Sequence, residues 1–193
     1  MSELWSVVDV FLIDNVFQKI SDKWQKLAGK NCFWLAKMFC IFAVCSFIVT
    51  FYVGFSTFSS PYVKGSFIVV MFLEGIGGTL RIFLLGIKEK MAEKNSSDKI
   101  FYNTKRENGR TSRLLDVVVN IWFVILATAT HDIVMVLFAT SFVLSCITEY
   151  FESCMPLPPH KSKIRQWIEK GKDVFNKILV PISNPAPIPI AVK

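Results

Sequence analysis

Phe72-Leu73-Glu74-Gly75-Ile76-Gly77-Gly78-Thr79-Leu80-Arg81 sets a carboxylate, three glycines and a guanidinium inside a run otherwise made of Phe, Ile, Val, Met and Leu. With Phe67 to Val70 before it and Ile82 to Ile87 after it, the run reaches the roughly 20 residues needed to cross a bilayer. An ionisable group at that depth costs at least about 2–3 kcal/mol, so it is expected to face protein or water rather than lipid. The stretch therefore predicts a membrane helix with a polar station in its middle, and the rest of the chain is read around it.

Three more apolar runs accompany it. Residues 33–55 form one span, broken only by Lys37 about a turn inside, where its amine can snorkel back to the headgroups. The polar turn 54–64 leads to the span 66–87. Residues 114–148 are apolar for about twice the length of a span, and the only polar place to turn is Thr128-Ala129-Thr130-His131-Asp132. This predicts a tight hairpin of 114–129 and 133–150, with Asp132 capping its second arm. The fold class is thus an all-α membrane protein with four transmembrane helices, one domain in 193 residues.

Both ends add amphipathic elements. In residues 1–31, Leu4, Val8, Phe11, Leu12, Ile20, Trp24 and Leu27 recur at helical spacing while Asp9, Gln18, Asp22, Lys23 and Gln25 lie mostly opposite. Gly29 is a natural stop. Such a helix either lies in the membrane interface or packs on the end of the bundle. Met155-Pro156-Leu157-Pro158-Pro159 ends the last span, a basic amphipathic helix is expected within 156–180, and the Pro-rich residues 181–193 read as an extended tail.

Charge fixes the expected threading. Of the Lys and Arg outside the spans, nineteen lie before the first span, in 88–113, or after the fourth, against Lys64 alone in the two short turns. By the positive-inside rule both termini and the loop 88–113 are cytoplasmic, in what is expected to be a bacterial inner membrane. The net charge of +7 would also suit a nucleic-acid binder, but these cations flank apolar runs, so no nucleic acid is expected. The expected partners are the lipid bilayer and its anionic headgroups, other copies or membrane subunits, and a cytoplasmic protein.

With that threading, Glu74 falls near the midplane, isolated, while Arg81, Lys37, Asp116 and Glu149 reach the cytoplasmic level and can form a charge cluster. Asp116 also suits a helix start behind Thr111 or Ser112, and Asn120 is expected to bond to a neighbouring helix. Gly75, Gly77 and Gly78 permit close approach of another helix or copy. Glu74 reads either as a protonatable carboxylate on a polar path or as a hydrogen-bonded packing group. Five cysteines form no CxxC pair, and with two histidines they supply no metal set. His131 beside Asp132 has no nucleophile nearby, no phosphate loop or nucleophile elbow is present, and no cofactor or enzymatic activity is expected. The segment Glu149 to Lys170, an apolar span, prolines and a basic helix, resembles the carboxy-terminal arrangement of small phage holins. It covers under an eighth of the chain, and the earlier spans do not match that pattern. The functional expectation is a non-catalytic assembly, anchoring or accessory subunit working through a basic cytoplasmic face. The alternative is a small oligomeric channel, proton path or holin-like pore using Glu74 and Arg81.

Overall fold

A computed structural model describes residues 2–94, 106–157, 162–164 and 166–172, and every element among them is helical. A first rod consists of α1 (Ser2–Phe11), a π-helical turn (Leu12–Phe17) and α2 (Gln18–Ala28). Then follow α3 (Cys32–Thr57), α4 (Pro61–Lys94), α5 (Arg110–Thr130) and α6 (Ile133–Glu152). The last four are long and apolar enough to cross a membrane. Residues 95–105 of the basic loop, 173–180 of the expected second amphipathic helix and the tail 181–193 lie outside the described residues.

The helix ends follow from local chemistry. Asn31 caps α3 by accepting from the Trp34 N–H, and Gly29 closes α2 in the left-handed region at φ 74°. Pro61, whose missing N–H costs nothing in a first turn, opens α4. Asp132 accepts from the Val134 N–H at 2.8 Å, and the reversal between α5 and α6 takes only His131 and Asp132, His131 being left-handed at φ 51°. Two boundaries differ from the sequence expectation. The helix of the second span starts at Pro61 and runs on to Lys94, because nothing before Asn95 breaks a helix and Glu89, Lys90 and Lys94 favour one. α5 starts at Arg110 behind Gly109 with no side-chain cap, so neither Thr111 nor Ser112 plays that part.

The four long helices form an open arc in the order α4, α3, α6, α5, each packed chiefly on its neighbours, with α4 also reaching α6 through Phe67 and Phe138. α3 and α6 are central. The edge helices bury only 11% of their most apolar windows, against 28% for the central pair. Two apolar clusters hold the arc. At the end carrying the chain's N-terminus, Cys32, Phe33, Ala36, Cys40, Leu85 and Phe151 are buried together. Toward the other end Phe47, Phe67 and Met71 are buried against Phe138 and Phe142, with Phe47 meeting Phe142 edge-on at 5.6 Å.

The first rod crosses the charged end of this arc with its polar side inward. Asp9, Ile13, Ser21 and Gln25 are buried, Phe17 partly so. Leu4, Val7, Val8 and Phe11 are exposed on the opposite side. Positions four apart gain about 40° per step on an ideal α-helix, so a stripe from Asp9 to Gln25 would drift by about 160°. The π-helical turn takes up an extra residue and keeps both ends of the stripe on the bundle. Asp9, Gln18 and Gln25, expected on a wet face, are therefore protein contacts. Gln18 and Gln25 each grip one residue of the extended segment after α6. Gln18 donates to the Met155 carbonyl at 2.7 Å and accepts from its N–H at 2.9 Å; Gln25 does the same for Leu157 at 2.7 and 2.9 Å. Pro156, with no N–H to satisfy, sits between them. Gln25→Leu is expected to leave two half-buried backbone groups of Leu157 without their partner and cost about 1–2 kcal/mol. Hydrogen exchange should then show faster exchange at the Leu157 amide while α3 stays protected.

Candidate functional site: a charged layer at one end of the arc

Two groups of charges build this layer. In the first, the Arg81 guanidinium of α4 reaches α6, where Nη2 lies 3.3 Å from Glu149 and 3.2 Å from Glu152. Its Nη1 donates to Ser145 Oγ at 3.3 Å. Lys88, two turns further along α4, meets the other oxygen of Glu152 at 2.6 Å. The Asp116 carboxyl of α5 faces Glu149, and Ser112 Oγ approaches the same carboxylate at 3.5 Å. Arg81, Asp116 and Glu149 are thus brought together, with Glu152 and Lys88 added. Lys37 stands apart: it pairs with Glu89 at 2.6 Å across the α3–α4 contact.

The second group is the most buried. Arg113 forks onto Asp9, with Nε to Oδ1 at 2.8 Å and Nη2 to Oδ2 at 2.6 Å, and their side chains are 3% and 1% exposed. Nη1 donates to Ser153 Oγ at 2.9 Å and Nη2 also to the Arg106 carbonyl at 2.7 Å. Arg106 bonds Asp14, Gln18 and the Ser153 carbonyl at 3.0, 3.1 and 2.9 Å. The first rod, the start of α5 and the end of α6 are thereby tied through Arg106 and Arg113, about two helical turns apart, in a stretch the sequence suggested was surface loop. Nearby, burial pushes the Cys154 thiol well above its ordinary range.

The remaining sequence candidates are dispersed. Glu74 is exposed on α4 and lines an apolar groove between α3 and α4. Asn120 is buried on α5, but its amide donates to the Asp116 carbonyl of its own helix at 2.7 Å rather than to a neighbour, and its Oδ1 has no protein partner. A side chain on Gly78 would put Cβ 2.5 Å from Val44 of α3, so this glycine sets the α3–α4 approach; Gly75 and Gly77 face open space. Among the described residues no group of His, Cys, Asp and Glu converges to hold a metal.

No protein-family model, curated protein or solved structure matches this chain.

What the layer can do chemically is therefore read from its own geometry. Its acids and bases neutralise one another across helices, and each long side chain joins elements far apart in sequence. The signal that singles out Glu74, a lone charge among apolar residues, applies equally to Asp9 between Val8 and Val10. The partner Arg113 carries no comparable mark, since it stands among other cations.

Proposed function

We propose that the chain is a multi-pass membrane subunit, without catalysis, that anchors or assembles other components through the basic side of the bilayer. Both termini and residues 88–113 lie on the cytoplasmic side, in a bacterial inner membrane, and the exposed cations there attract anionic headgroups and an acidic surface of a partner. The supporting observation is the Asp9–Arg113 fork with its surrounding bonds, which makes the charged end one rigid platform. Arg81, the cation a pore would use, is held between Glu149 and Glu152, and Glu74 faces away from the helices' shared core.

Reconstitution into vesicles of mixed neutral and anionic lipid tests this. The anchor reading predicts that entrapped dye and a proton gradient persist, and that native mass spectrometry finds retained anionic lipid which is lost when Lys90, Lys94, Lys99 and Lys105 are replaced by Gln with the arginines left in place. A leak abolished by Glu74→Gln would replace this reading with the pore.

A further inference from the structure

Glu74 has no hydrogen-bond or ion-pair partner among the described residues, although it sits mid-span on an edge helix. A carboxyl facing hydrocarbon there is costly in either protonation state unless something donates to it or accepts from it. Apart from Glu74 itself and Thr79, whose hydroxyl donates to the Gly75 carbonyl at 2.8 Å, the groove of about 840 Å³ is apolar, with Val44, Ile48 and Phe51 of α3 on one wall and Ile68 and Phe72 of α4 on the other. At the opposite edge of the arc stands its complement. Trp122 of α5 is 61% exposed, its indole N–H carries no bond among the described residues, and it lies mid-span, away from the interfacial belts where tryptophan is usual.

The two groups lie at one depth. Arg81 meets Glu149, which in turn faces Ser112 and Asp116, so these positions mark a common level. Glu74 lies seven residues beyond Arg81 along α4, about 10 Å at 1.5 Å per residue. Trp122 lies six to ten residues beyond Asp116 and Ser112 along α5, about 9–15 Å in the same direction. Leu115, Val118 and Ile125 continue the exposed face of α5 above and below Trp122 at alternating spacings of three and four, the pattern of a helix that lies along a partner.

We propose that copies of this chain associate edge to edge, the α5 face of one seated in the α3–α4 groove of the next, with the Trp122 Nε1–H donating to Glu74. Copies in one bilayer share one orientation, so depth-matched groups on opposite edges meet by sideways association. A two-fold axis along the membrane normal would instead set Glu74 against Glu74. The contact is heterologous and propagates until a ring closes. This inference deepens the assembly reading above, and rests on it only in taking α3 to α6 as bilayer-spanning.

The test is disulfide crosslinking of the full-length chain in its native membrane. A Glu74→Cys, Trp122→Cys double variant should give a ladder beyond dimer on a non-reducing gel, while each single variant stays at the background set by the native cysteines. A strong dimer from Glu74→Cys alone, no ladder from the double variant, or a monomer by native mass spectrometry each overturns the proposal. A second pair of variants covers misfolding. Trp122→Phe keeps the ring and loses the donor, and should weaken association about three- to tenfold. Glu74→Gln keeps an acceptor and should stay near wild type; equal loss in both, or in neither, overturns the proposal. Trp122→Phe leaves vesicle integrity and lipid retention untouched, so the two readings fail separately.

Discussion

Arg113→Ala is expected to lower the unfolding free energy by about 3–5 kcal/mol, the cost of stranding a buried charge whose partner has been removed. Asp9 is 1% exposed and takes both of its short bonds from this one guanidinium. The same substitution unties Ser153 and the Arg106 carbonyl, so the first rod, α5 and the end of α6 lose their shared anchor together. Asp9→Ala should cost a similar amount. The double change Asp9→Leu, Arg113→Leu should recover much of the loss, because a packed apolar pair has no desolvation penalty. Midpoints of denaturant unfolding in detergent, compared across the four proteins, measure this. Equal midpoints for Arg113→Ala and wild type would refute the fork as a structural tie.

Arg81→Leu is expected to be next in effect, at about 2–4 kcal/mol. It leaves Glu149, Glu152 and Asp116 gathered around a missing cation, with Lys88 reaching only Glu152. The figure is set below that for Arg113 because the Arg81 side chain is a quarter exposed, which weakens each pairing. Adding Glu149→Gln to Arg81→Leu should restore part of the loss by removing one stranded charge. If the charge layer were decorative, the single and double variants would unfold together with wild type.

How far the sequence carried the reading depends on the period of the signal. The four long helices were legible because about twenty successive apolar residues leave few alternatives, and Asp132 announced its own cap. The hairpin turn was legible for the same reason: one polar cluster stood in thirty-five apolar residues. The inward face of the first rod was not. Its stripe runs at a spacing of four, which an α-helix cannot keep on one side, and only the π-helical turn of Leu12–Phe17 makes it continuous. A hydrophobic-face argument then points the wrong way, since here the buried side holds Asp9, Ser21 and Gln25. Arg81 near Glu149 could be anticipated from depth alone, whereas Lys37 with Glu89 depended on α4 continuing past the expected boundary.

That unbroken α4 has a mechanical consequence. At 34 residues it is about 50 Å long, so roughly 20 Å project past a hydrocarbon layer of about 30 Å. Its helical backbone is continuous from Pro61 to Lys94. Whatever grips the projecting turn around Met91 would pull on the same rod that carries Glu74 some 25 Å away, with Gly75, Gly77, Gly78 and Gly86 between them as the places where it bends most easily.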